Sequence, residues 1–438
     1  MLAASSPRRR LPPALYQRDF ALFAAVVLAM NGASQMIAVA IGWQVYDVHH
    51  RAFDLGLIGL LEFAPVLLLA IPGGQLADRV SRRLVLGLSL VLLACIAAAL
   101  ILVSAGGAHA LWPFLVLAAT NGVATALSFP VSRALPPMLV PRELMASAMA
   151  IRSVINQTAM VAGPAIGGAL FAIHPTVVYG TALALFVIAL LAVAVMRVHP
   201  APDAVVGDPP HLRAVLAGIH FIGGAPILLG AITLDLFAVL FGGAVALLPL
   251  FAQTVLHTGP AGLGILRSAP AVGAVVAGVV FVRRPLPRRA GPLLLACVTG
   301  FGASMIVFGL SRTFALSVAA LILSGAFDMV SVNVRTTTVS LATPDWVRGR
   351  VGAVEAVFIG ASNQLGAFES GTAAALLGAV PAVVCGGVAT IVIALAWTRL
   401  FPSLAKLNRM EDLRPAAAGE GDGLAGTGAE ATVGADLW

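Results

Sequence analysis

The sequence predicts an all-α membrane protein, twelve transmembrane helices in two pseudo-symmetric six-helix bundles. Three observations lead there. The 438 residues are 60% hydrophobic and 10% charged, with a mean hydropathy of +0.99, a balance that water does not dissolve. Aliphatic stretches of about 20 residues, each enough to cross a roughly 30 Å hydrocarbon core as a helix, recur from Phe20 to Leu400. The chain also repeats itself: "GLLEFAP" from residue 59 returns as "GILRSAP" from 264, Pro141 as Pro344, Gly163 as Gly366 and Gly168 as Gly371. Landmarks in register over a hundred residues mark a duplicated unit.

The predicted spans are 19–45, 54–78, 83–104, 111–132, 144–172 and 176–196, then 225–253, 260–282, 291–310, 314–341, 350–377 and 381–400. Between the sixth and seventh lies "HPAPDAVVGDPPHLR", Pro-rich and polar, the one interior loop long enough to divide two halves. The expected organisation is an N-terminal segment 1–18, a six-helix bundle 19–198, a linker 199–222, a second bundle 223–402 and a disordered tail 403–438. The tail is small, polar and mildly acidic, with too little apolar surface to order itself. If the N-terminus is cytoplasmic, 23 of the 26 basic residues fall in inside segments, Arg51 and Arg312 lie outside, and Arg267 is within a span. That is the positive-inside pattern, with both termini cytoplasmic.

The basic residues are scattered singly, with no aromatic-interleaved basic face, so nucleic acid is not the expected partner. Cys95, Cys297 and Cys385 are far apart in predicted helices, which excludes a disulfide framework and a CxxC metal site. No HExxH, GxSxG or ATP-binding G-x-x-x-x-G-K-[ST] occurs, so neither an enzyme nor an ATP-driven pump is expected, and no cofactor or metal. Arginine's near-total replacement of lysine points to a bacterial, hence inner-membrane, protein.

The charged turn "GGQLADRVSRRLVL" ends the second span. A helix C-terminus favours Arg79, Arg82 and Arg83 and disfavours Asp78, so Asp78 requires a positive partner on another element. The start of the eleventh helix offers one, where Gly349 in "PDWVRGRV" leaves backbone N–H groups accessible. Gly74, Leu76, Ala77, Asp78, Arg79, Arg82, Arg83 and Leu86 together resemble the loop signature of the major facilitator superfamily, G-x-L-A-D-R-x-G-R-[KR]-x-x-L, with Ser81 at its second glycine. The resemblance implies a cytoplasmic latch in which Asp78 contacts the eleventh helix and Arg133 on the fourth. "GPAIGG", Gly163 to Gly168, resembles the antiporter signature of proton-driven exporters. Physically, Gly163 and Gly167 permit close backbone approach while Pro164 loosens the ladder, and packing and gating both fit. "TPDWVRGRVGAV" and "IGASNQLGAFESGTAAALLGAVPA" resemble the branch of drug:proton antiporters that includes siderophore exporters.

An acid at a helix centre costs about 2.5–3.5 kcal/mol to insert, so Glu62, Asp235, Asp328 and Glu369 each call for a reason. Asp235 lies about 15 Å from the start of its helix and Asp328 about 21 Å from the start of its own; both are proton-site candidates. Ser331 and Arg335 follow Asp328 on one helix face. Asn31 and Gln35 on the first helix, and Asn121 and Thr125 on the fourth, make similar patches. The resemblance places the first, fourth, seventh and tenth helices around a cargo cavity, so ligand contact and interhelical hydrogen bonding both remain open for these residues. Glu62 and Arg267 are repeat equivalents that either bond across the halves or pair locally. The resemblance, which sets the second helix against the eleventh and the eighth against the fifth, favours local pairing. Glu369 is expected near the outer end of the eleventh helix, where it is an equal candidate for Glu62's neighbour in an outer gate.

The implied function is a monomeric secondary exporter, driven by protons, of a siderophore or drug-like amphiphile across a lipid bilayer. A facilitator or importer of a small organic solute is the alternative.

Overall fold

The computed structural model describes residues 12–107, 110–197, 212–283, 289–408 and 413, with the side chains of 70–79, 212–215 and 282–283 outside the description. Among the described residues there are helices and no strands. The first six long helices are α1 (Arg18–His49), α2 (Ala52–Arg79), α3 (Arg82–Ala105), α4 (Trp112–Ala134), α5 (Met145–Ile173) and α6 (Pro175–Val195). The second six are α7 (Pro226–Val255), α8 (Pro260–Arg283), α9 (Ala290–Leu310), α10 (Phe314–Ala342), α11 (Arg348–Leu377) and α12 (Ala379–Leu400). Among the described residues, eleven are long and apolar enough to cross a membrane. The exception is α11, whose 30 residues include Arg348, Arg350, Glu355 and Glu369.

Neighbour relations in the two halves repeat. In the first, α1 packs on α5 and α6, α2 on α4, and α3 on α4 and α6; in the second, α7 packs on α11 and α12, α8 on α10, and α9 on α10 and α12. The halves meet through α2 against α11 and α5 against α8. Helix ends repeat as well: His50 closes α1 and His257 follows α7, both at positive φ (53° and 47°), the left-handed cap that releases the chain from a helix. The departure is α7, which breaks at Gly243 and resumes through a 3-10 turn and a π-turn at Phe251–Val255. Gly242-Gly243 and the missing N–H of Pro249 loosen the ladder there.

Because the number of long helices is even, α1 begins and α12 ends on the same side, here the terminal face. One apolar core runs through the first half and takes in the opposite-face ends of the second, from Ala244 to Ala269, Met305, Phe308, Leu321 and Val383. The terminal-face ends of α7, α9, α10, α11 and α12 form a separate core around Leu228, Leu294, Val334, Val351 and Leu404. The halves are therefore knitted at the opposite face and keep distinct cores at the terminal face.

Two segments differ from their expectation. Leu212–Gly224, most of it inside the expected linker 199–222, is helical and rests on α11, where Gly218 lets it approach the Arg350 backbone and Phe221 meets Trp346 edge-on at 5.7 Å. Apolar residues at helical spacing, overlooked beside the prolines of the loop, account for it. The start of the expected disordered tail is also folded. A turn at Pro402–Ala405 carries the chain back under α9, where the Leu407 and Asn408 carbonyls accept from Gly291 N–H at 2.9 Å and Ala290 N–H at 3.3 Å. They satisfy orphan donors of the first turn of α9. The tail from 414 onward lies outside the described residues.

Candidate functional site

A cavity of about 550 Å³ lies between the halves, walled by residues of α1 through α8 and of α11. Its apolar wall includes Ile37, Ile58, Leu93, Met160 and Phe186, and its polar side Gln35, Glu62, Asn121, Thr125, Arg267 and Gln364. Small residues bring the helices together toward the opposite face. A Cβ at Gly59 would stand 3.0 Å from the Ala367 Cβ, and one at Gly371 2.7 Å from the Gly56 Cα. Phe53 meets Phe368 there at 5.8 Å between centroids.

Glu62, Asn121 and Arg267 form the polar centre of this cavity. A Cβ at Gly122 would collide with the Glu62 backbone, so glycine lets α4 cross α2 backbone to backbone. Asn121, one residue earlier, then reaches the acid, and its amide donates to Glu62 Oε1 at 2.6 Å. Across the cavity Arg267, on α8, acts electrostatically on Glu62. Both alternatives are thus seen in part: Glu62 takes its hydrogen bond locally, from Asn121 of its own half, while the two repeat equivalents line one cavity from opposite halves. Gly325 meets the Pro270 backbone in the second half as Gly122 meets Glu62 in the first.

The second ionic group is internal to the C-terminal half. Arg335, buried on α10, pairs with Asp235 on α7, and its Nε stands 3.9 Å from Glu355 Oε1 on α11. That last separation is beyond hydrogen-bond range, an ion pair only. Asp328, which is exposed, and Ser331 share with Asp235 a small cleft of about 10 Å³. Ser331 and Arg335, expected around the cargo cavity, therefore sit with the acids and not among its walls. Glu355 escapes a sequence reading because its significance rests on Arg335, twenty positions away and on another helix.

The remaining residues fall in several places. Gln35, Asn121 and Thr125 line the cavity, whereas the Asn31 amide donates to Asn156 at 2.8 Å, joining α1 to α5 outside its walls. Glu369 accepts from Ser370 at 3.4 Å, and that hydroxyl also lies 3.1 Å from the Gly243 carbonyl; Glu369 is not in the cavity wall with Glu62. Gly163 and Gly167 set α5 against α1, a Cβ on either falling 2.7 Å from Gln35 Cβ and Met36 Cα respectively, while Gly168 sets α5 against Gly264 of α8. Pro164 lines the cavity.

Of the latch residues, Gly74, Asp78 and Arg79 lie outside the described side chains. Gly349 has open space around it, and the Arg133 guanidinium lies over the Phe129 ring of its own helix, 4.5 Å from the centroid. Arg82 donates to the Ala134 carbonyl at 3.3 Å and contacts Met138 Sδ at 2.8 Å, and Arg83 donates to the Ala194 carbonyl. Both arginines meet carbonyls at the C-terminal ends of α4 and α6, where the helix dipole favours positive charge.

A repeated bundle of six helices around a central cavity is the architecture of a membrane transporter of the major facilitator type. The model of the transmembrane secretion effector family matches residues 12–418, and the chain belongs to that family. Similar proteins include enterobactin exporter EntS of Citrobacter koseri, 26% identical over 375 residues, which cover 85% of this chain and 89% of the relative. Enterobactin exporter EntS of Shigella dysenteriae is 26% identical over 359 residues, 82% of this chain and 86% of the relative. A solved bacterial homolog of the human lysosomal transporter Spinster, inward-facing and occupied, has a TM-score of 0.70 at 14% identity, over 89% of this chain and 97% of that one. A D-xylose-proton symporter has a TM-score of 0.68 at 13% identity, over 88% and 97%. These two likenesses establish the fold.

Proposed function

We propose that the protein is a secondary exporter of the bacterial inner membrane, with both termini cytoplasmic. It moves an enterobactin-like siderophore or a drug-like amphiphile out of the cytoplasm in exchange for protons. The observation that carries this reading is the cavity between two repeated halves, knitted at the opposite face, in a chain whose relatives are named enterobactin exporters. With the terminal face cytoplasmic, as the basic residues indicate, the cavity is closed toward the periplasm, the state that receives cargo from within. The halves 19–198 and 223–402 then rock about the cavity, with 199–222 as their connection.

Proton entry supplies about 2.3 kcal/mol per charge per 100 mV. Protonating Asp235 or Asp328 removes a charge that opposes closure of its helix into apolar surroundings, and deprotonation on the far side restores the cargo-competent state. Glu62 and Glu369 are the other acids available to carry the proton. The test is efflux of metal-free enterobactin from proteoliposomes under an imposed pH gradient. Efflux that accelerates with the gradient, and fails when Asp235 and Asp328 are both changed to Asn, is expected. Efflux indifferent to gradient and voltage removes proton coupling and leaves the facilitator, which shares the fold.

A further inference from the structure

Resting on the exporter reading, we infer that the central cavity selects its cargo by net charge: it takes an uncharged, hydrogen-bond-rich amphiphile and turns away cations and anions alike. Among the described wall residues, Glu62 and Arg267 are the ionisable ones. They come one from each half and face the same cavity. When both are ionised their charges are opposite and cancel. Around them Gln35, Asn121, Asn363 and Gln364 present amides, each able both to donate and to accept, and much of the remaining wall is aliphatic or aromatic.

A cation entering this space meets an acid that already has its counter-charge and an arginine that repels it. An anion meets the reverse. Either leaves one net charge against a largely apolar wall, where an unpaired charge is costly once the halves close over it. An uncharged ligand leaves the balance untouched. Its hydroxyls donate to the Glu62 carboxylate, its carbonyl or phenolic oxygens accept from Arg267, and its apolar body lies on the aliphatic wall. A catechol meets these terms only when metal-free. Its hydroxyls are phenols and keep their protons near neutrality, as tyrosine does, whereas in a ferric tris-catecholate the protons are gone and the complex is anionic. The same rule disfavours lipophilic cations.

Two pairs of probes, titrated calorimetrically into the purified full chain in detergent, test this. One is a metal-free tris-catechol chelator and its ferric complex; the other is a neutral amide amphiphile and its quaternary ammonium analogue. In each pair that binds, the neutral member should bind at least about tenfold more tightly. Arg267→Gln should narrow that gap for the ammonium probe, and Glu62→Gln for the ferric complex, a crossed pattern that general loss of structure does not produce. Charge selection seen only with the amide pair supports the inference and removes the catecholate from the exporter reading. Charged members binding as tightly as neutral ones, or no neutral member binding at all, overturns the inference.

Discussion

Glu62 and Arg267 hold the same place in the two halves, 205 positions apart, and look into one cavity from opposite bundles. The duplicated unit carries an acid in one copy and a base in the other, so the cavity is faced by residues of opposite sign from its two halves. Reversing either charge alone should reduce transport by an order of magnitude or more. The double exchange, Glu62→Arg with Arg267→Glu, should recover part of the loss, with a coupling of about 0.5–3 kcal/mol in a double-mutant cycle of stability or binding. Strictly additive effects would show that the two residues act separately.

The pair at Gly59 and Ala367 should report whether the opposite face opens. A Cβ on Gly59 falls 3.0 Å from that of Ala367, a small adjustment from the roughly 3.5–4.5 Å of a disulfide. In a chain with Cys95, Cys297 and Cys385 replaced, Gly59→Cys with Ala367→Cys should cross-link under oxidation and stop transport, and a reductant should restore it. Undiminished transport by the fully cross-linked protein would mean that these helix ends never part.

The Arg335 group should behave as a charge balance. Arg335→Gln strands Asp235 and Glu355 without their cation and should cost about 3–5 kcal/mol, read as a lowered melting temperature in detergent. Adding Asp235→Asn and Glu355→Gln should recover most of that stability while leaving transport impaired. If the single substitution melts like the parent, the guanidinium is not a structural counter-ion.

At Gly167 and Gly168 the expectation concerns shape. Gly167→Leu drives a side chain into the Met36 backbone, and Gly168→Leu one into the backbone around Gly264. Overpacking of this kind costs about 1–3 kcal/mol where neighbours can move, and backbone moves least. Gly168→Leu, at the contact between halves, should prise the opposite face apart and make cysteines placed near Phe53 and Phe368 more reactive to a water-soluble thiol reagent. Gly167→Leu, within the first half, should lower stability without that increase.

Much of this fold was legible in the sequence, since hydropathy registers the solvent and the solvent sets the spans. Predicted 291–310 and 314–341 compare with helices Ala290–Leu310 and Phe314–Ala342. Partners were harder. Arg335 reads as a cavity residue by its spacing from Asp328, yet it turns into its own half to meet Asp235, a choice fixed by the packing of α7 on α10. Asn121 showed as one of several polar residues, and only the crossing at Gly122 ties it to Glu62. The break in α7 went unread, because an apolar span reads the same through a 3-10 turn as through an unbroken helix; Gly242, Gly243 and Pro249 are the residues that mark it. Arg82 and Arg83 were recognised as a motif before their local work, holding the carbonyl ends of α4 and α6, could be seen.

The return of the chain beneath α9 bears on how the protein can be handled. A purification handle or fluorescent reporter spliced directly behind Leu400 would strip Ala290 and Gly291 of their acceptors and uncover Leu404 and Leu407. Such a fusion would read out its own damage. Attachment after residue 413 leaves that seam shut.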